Sequence, residues 1–135
     1  MTLRSYGLLA TAISALSLTA QPSLAASQPV RHAGDSCFLT SDWQGWKSPS
    51  PSVIYLRVRV NDVYRVDLTA PSYQLQTPYV HLTSIVRGSP WICSPIDLDL
   101  AVVDDHGIAR EPLFVKAITK LTPEQVAAIP AQFRP

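Results

Sequence analysis

The sequence predicts a mainly β protein, a small antiparallel β-barrel or sandwich with a short C-terminal helix. Three observations lead there. Apolar and polar residues alternate over Val53 to Val60, Tyr64 to Leu68 and Ile96 to Val103, the two-residue period of strands with one buried face. Eleven of the twelve prolines follow Ala25, mostly between these runs, as expected for many short strands joined by tight loops. Helix punctuation occurs once, near the end of the chain.

Residues 1–25 read as a signal peptide. Arg4 supplies a short positive segment, and Leu8 to Ala20 is an uncharged run of 13 residues. That is too short to span a bilayer, which takes roughly 20 residues. Gln21 and Pro22 break the run, and Ser23-Leu24-Ala25 offers small residues at a signal-peptidase site. Residues 26–35 are polar and aperiodic, a flexible leader. Residues 36–130 form the single β-rich domain, and 131–135 a tail.

The domain begins at Cys37-Phe38-Leu39. Trp43 and Trp46, three apart, suggest one helical or 3₁₀ turn laid over the core, and Ser48-Pro49-Ser50-Pro51 a turn-rich connection. Val53 to Val60 and Tyr64 to Leu68 are close enough to form a β-hairpin. A two-residue Asn61-Asp62 turn would set an apolar face against a charged one, so the loop must hold an odd number of residues. Asn61 to Val63 satisfies this. It pairs Val60 with Tyr64, Val58 with Val66 and Leu56 with Leu68, and places Arg57 opposite Asp67 on the solvent face. The cost is a β-branched Val63 in a loop that favours a left-handed residue. A five-residue loop, Arg59 to Val63, is the alternative.

Further strands are expected over Val80 to Arg87, Trp91 to Cys93, Ile96 to Val103 and Leu113 to Leu121, with Trp91 packed in the core. Thr122, Pro123 and Gln125 then occupy N-cap, first-turn and N3 positions of a helix, with Val126 and Ile129 on its apolar side and Pro130 ending it.

Charge narrows the function classes. The chain carries 11 Lys+Arg and 10 Asp+Glu, so removing Arg4 leaves a formally neutral mature part. No basic cluster suits nucleic acid or an anionic membrane surface, and no membrane span is expected. No cofactor is expected either. The partner called for is a protein or an envelope component. An exported chain of this size with only Cys37 and Cys93 points to one structural disulfide. A metal site would need two more soft or imidazole ligands, and His32, His81 and His106 are scattered singly. A catalytic thiol would need a nearby base, and Cys37 has Asp35 instead.

Gly34-Asp35-Ser36-Cys37-Phe38, Asn61 to Leu68, Ile92-Cys93-Ser94 and Val115-Lys116-Ala117-Ile118 running into Leu121-Thr122-Pro123-Glu124 occur in that order. As an ordered set over Gly34 to Ile129, they resemble the DUF6491 family of small exported bacterial proteins of unknown function. The resemblance implies no activity or catalytic residue. Many members carry two further cysteines, near the positions of Ser72 and Leu113 in this chain. Their joint loss implies that they pair with each other, leaving Cys37 and Cys93 as partners. Many exported relatives also carry a lipobox cysteine. This signal has none, so export without a lipid anchor is expected, to the periplasm or beyond.

The densest polar cluster is Asp97, Asp99, Asp104, Asp105 and His106. Asp97 and Asp99 share a strand face by alternation, and Gly107 permits a tight turn, so calcium is conceivable. The spacing is not that of an EF-hand, and Asp-Asp-His-Gly is an ordinary hairpin tip. Trp43 and Trp46 could offer an aromatic platform to a sugar or peptide. His81 reads as a surface or half-buried strand residue. No Gly-x-Ser-x-Gly elbow or other nucleophile context is present. The residues therefore suggest a non-enzymatic exported binding or envelope-associated module, with Trp43, Trp46, Asp99, Asp104 and His106 as binding candidates. The alternatives are a small metal-dependent hydrolase using Asp97 to His106, or a periplasmic inhibitor of a hydrolase.

Overall fold

A computed structural model describes residues 37–107 and 109–135. The expected signal peptide and leader lie outside the described residues. Three antiparallel sheets make a sandwich-like, mainly β fold rather than a closed barrel. Strands β1 (Phe38–Leu39) and β6 (Trp91–Ile92) form a two-stranded ribbon. Strands β2 (Trp43–Ser50), β3 (Val53–Val58), β4 (Asp62–Leu68) and β9 (Val115–Lys120) form a four-stranded sheet in the order β2-β3-β4-β9. Strands β5 (Val80–Ile85), β7 (Asp99–Asp104) and β8 (Arg110–Leu113) form the third, in the order β5-β7-β8.

The core lies between the two larger sheets. Ile54, Leu56, Val58, Tyr64 and Val66 come from one, Leu100, Val102 and Leu113 from the other, and the ribbon adds Phe38 and Ile92. Phe38 packs on the Tyr64 ring with centroids 4.7 Å apart. Burial raises the Tyr64 hydroxyl above the usual tyrosine pKa, against the opposing pull of Lys120. Cys37 and Cys93 are disulfide-bonded across the start of the ribbon, with Cα atoms 4.3 Å apart.

The β3–β4 hairpin keeps the expected faces and changes the expected register. Leu56 lies opposite Tyr64, Ile54 opposite Val66 and Val58 opposite Asp62, so the three-residue loop is Arg59 to Asn61. Val63 is thereby spared the loop. It pairs with Arg57 and is buried, while the left-handed position falls to Arg59 with φ 54°. Arg59 is held there by its backbone N–H on the Asp42 carbonyl at 2.7 Å and its guanidinium on the Asp42 carboxylate at 2.9 Å. Val60 is 81 % exposed at the loop tip, not on the core face. Asp67 faces Val53 rather than Arg57, and its ion partner is Arg65 at 2.7 Å. Arg57 lies across Gly45 with its Nε enclosed, rather than standing in solvent.

Four other expectations change. The tryptophans sit on a strand, with the 3₁₀ turn just before it at Thr40–Asp42. An irregularity between Trp43 and Gly45 puts Trp43 opposite Val58 and Trp46 opposite Leu56. A β-bulge inserts one residue, so a spacing of three still returns to the same face. The expected strand 96–103 starts at Asp99, because Pro95–Asp97 is a 3₁₀ turn. The expected strand 113–121 is broken at exposed Phe114, between strands of different sheets. Trp91 is 47 % exposed, because Ile92 takes the inward position opposite Phe38.

The helix α1 (Pro123–Ala127) starts as its sequence predicts. Gln125 N–H donates to Thr122 Oγ1 at 3.3 Å, and Thr122 N–H donates to Gln125 Oε1 at 2.9 Å. Ile129 is buried. The tail 131–135 is tied back to the domain: Ala131–Phe133 is a 3₁₀ turn, and Arg134 donates to the carbonyls of Ala127 and Ile129. Among the described residues, no helix is long and apolar enough to cross a membrane.

Candidate functional site

The 3₁₀ turn that displaces the expected strand also helps to build a groove of about 510 Å³. Its geometry follows from Ser94-Pro95-Ile96-Asp97. Asp97 Oδ2 accepts from Ser94 N–H at 2.9 Å, Cys93 N–H at 3.1 Å and Ser94 Oγ at 2.8 Å, and Pro95 opens the turn without needing a donor. The Ser94 hydroxyl bond, then the Cys93 amide, hold the Asp97 carboxyl below the usual carboxylate range. With Asp97 turned inward to its own backbone, Ile96 is carried to the apex and is 92 % exposed.

Phe114, 68 % exposed where the chain passes from β8 to β9, lines the same groove. Ile85 and Pro112 extend the apolar wall. The rim is ionic, with the Arg87 guanidinium on the Asp99 carboxylate. Chemically, this is an open groove of mixed character, apolar at Ile85, Ile96, Pro112 and Phe114 and polar at Ser89, Asp97 and the Arg87–Asp99 ion pair. Its apolar side chains can take up an apolar segment.

The polar cluster read from the sequence is not brought together. Asp99 and Asp104 bound β7 at opposite ends, so at about 3.3 Å per residue they stand roughly 16 Å apart. Asp97 and Asp99 do not share a strand face, because Asp97 belongs to the turn. Asp104 organises the hairpin tip: its carboxylate accepts from Ala109 N–H at 3.2 Å, and its carbonyl accepts from Gly107 N–H at 2.9 Å, with Gly107 at φ 67°. Asp105 accepts from His81 Nε2 at 2.7 Å, with the His81 side chain 73 % exposed. His106 is exposed on the turn. The depression beside Asp104 measures about 120 Å³. Among the described residues, no group of three or more His, Cys, Asp or Glu side chains could hold a metal ion.

Trp43 and Trp46 are half-buried against the core and line a second, shallow groove of about 410 Å³. Leu82, Thr83 and Ser84 of β5 line it as well. Trp43 Nε1 is used by the Gly45 carbonyl at 2.9 Å. Ser84 Oγ is enclosed without a partner.

Ile96 and Phe114 were not among the sequence candidates. The signal for Ile96 was present, since Ser-x-x-Asp with proline at the second position is a capping box. Phe114 carries no such signal, because the break between two sheets depends on where β8 and β9 find partners. Compared with known proteins, the chain matches no family model, no curated protein and no solved structure.

Proposed function

We propose that this protein is an exported, non-enzymatic binding module that engages a protein or envelope component through the Ile96–Phe114 groove. The observation that carries this reading is two large apolar side chains, 92 % and 68 % exposed, that line one groove. Contiguous exposed apolar surface is costly in water and marks interaction sites. Export is part of the proposal, supported by the Cys37–Cys93 disulfide, the signal-like N-terminus and the ordered resemblance to the DUF6491 family. The separation of Asp99 from Asp104 argues against a hydrolase built on the acidic stretch.

A photo-crosslinking residue at position 114, compared with one at position 60 on the β3–β4 loop, which does not line the groove, tests the proposal in cells of origin. The expected result is a discrete adduct from 114, lost with Ile96→Asp, and none from 60. Equal labelling from both positions, or an adduct indifferent to Ile96→Asp, would refute it.

A further inference from the structure

The edges of the two larger sheets are protected in different ways, and one is not. The β2 edge carries Lys47, Pro49 and two irregularities, and Gln76 donates to its Ser48 carbonyl and hydroxyl. The β8 edge carries Arg110 and Pro112, and β9 carries Lys116 and Lys120 with the Pro95–Asp97 turn packed on it. These are the devices by which edge strands avoid pairing with other chains. The β5 edge, Val-His-Leu-Thr-Ser-Ile, has no proline, lysine, arginine or register irregularity.

Which of its backbone groups are open follows from the ladder. Asp105 N–H donates to the Tyr79 carbonyl, which marks that opposed pair as hydrogen-bonded. Hydrogen-bonded pairs recur at every second residue, so His81, Thr83 and Ile85 bond to β7. Val80, Leu82 and Ser84 then present their N–H and C=O groups away from it. The Asp104 N–H bond to the Ala109 carbonyl on the β8 side agrees with this parity. Tyr79, 80 % exposed, and Val86, 50 % exposed, flank the strand.

We propose that a second copy of this chain pairs antiparallel with the β5 edge about a two-fold axis at Leu82, joining the two three-stranded sheets into one of six. The edge is complementary to itself. Centring on Leu82 sets Val80 opposite Ser84 of the second copy, so all three open residues meet open residues. Tyr79 falls opposite Ile85 of the other copy and next to its Val86, at both ends of the interface. His81 meets Thr83 and Arg87 meets Thr77, so no like charges oppose one another. Opposed residues of an antiparallel pair share a face. The Trp43–Trp46 grooves of the two copies therefore lie on the same side of the joined sheet and face each other across the axis.

Sedimentation equilibrium of the full chain, with residue-resolved amide exchange at rising protein concentration, tests the pairing. The expected result is a dimer in which the amides of Val80, Leu82 and Ser84 gain protection with concentration, while the Thr83 amide is protected throughout. Ser84→Pro deletes an outward donor without touching the β7 ladder and should weaken association at least about tenfold. Thr83→Lys, which leaves the backbone intact, and Tyr79→Asn, which suits the left-handed Tyr79 position at φ 64°, should weaken it too. If Ser84→Pro fails to fold by circular dichroism, the other two variants decide. A monomer at every concentration would overturn the proposal. So would association that leaves those three amides unprotected, or protection that appears only with a different protein.

Discussion

Replacing both Cys37 and Cys93 by alanine should destabilise the domain by roughly 4 kcal/mol. The bond closes a loop with a sequence separation of 56. The chain-entropy model assigns a loop of that length about 14 cal/mol/K of lost unfolded-state entropy, or roughly 4 kcal/mol at 25 °C. A domain of this size has about 5–15 kcal/mol in total, so the loss is a large share. The structure adds a local reason. The β1 strand is two residues long, and it carries Phe38 into the core against Tyr64. Without the bond, that ribbon is held by its pairing with β6 and by Thr40, whose N–H and hydroxyl both donate to the Pro90 carbonyl. Urea unfolding, followed by circular dichroism, measures both stability and m. The midpoint should fall, and m should rise because the unlinked chain exposes more surface when unfolded. A thermal scan should show a drop of roughly 15–30 °C. A double variant that loses less than about 1 kcal/mol with unchanged m would refute the loop-entropy account.

Three other outcomes are expected. Leu56→Ala should cost about 2–5 kcal/mol and Val60→Ala less than about 0.5, since Leu56 is fully buried and Val60 is 81 % exposed; comparable losses in a denaturation series would restore the longer apolar face. The Asp97 and Glu124 carboxyls both sit below their ordinary pKa, through the Ser94 and Thr122 hydroxyl bonds respectively. Their contribution is present above the ordinary carboxylate range and lost as pH falls through the depressed values, so Asp97→Asn should flatten the acid limb of a stability–pH curve; an unchanged limb would show that the turn is held by something else. Calcium or zinc at millimolar concentration should leave the melting temperature unchanged, whereas a site filled at a hundredfold excess would add about 2.7 kcal/mol; a rise abolished by Asp99→Ala and Asp104→Ala would revive the metal-dependent reading.

The candidate site was legible only in fragments. Asp97, Asp99, Asp104 and His106 are close in sequence, and a short strand run through such a stretch separates its ends instead of gathering them. The groove arises from residues at 85, 96 and 112–114, brought together by three chain segments, and no local pattern joins them. Trp91 shows the same limit on a smaller scale. Its size suggests burial, but the neighbouring Ile92 is the residue that faces Phe38.

Properties carried by neighbouring residues were determined by the sequence itself. Alternation set the buried face of β3 and placed Tyr64, Val66, Leu100 and Val102 in the core, although Val63 and Ala101 on the other faces are buried too; face parity required an odd hairpin loop, and Thr122-Pro123-x-Gln125 started the helix. Each depends on contacts within a few residues, so local chemistry suffices. The register of β3 on β4, the bulge after Trp43, the break at Phe114 and the division into three sheets were decided only by the tertiary structure. The reason is that a two-residue period is unchanged by a shift of two residues. Moving the loop from residues 61–63 to residues 59–61 keeps the face of every residue that stays in a strand. What separates the registers is a left-handed Arg59 secured by Asp42, seventeen residues away, against a left-handed valine with no such support.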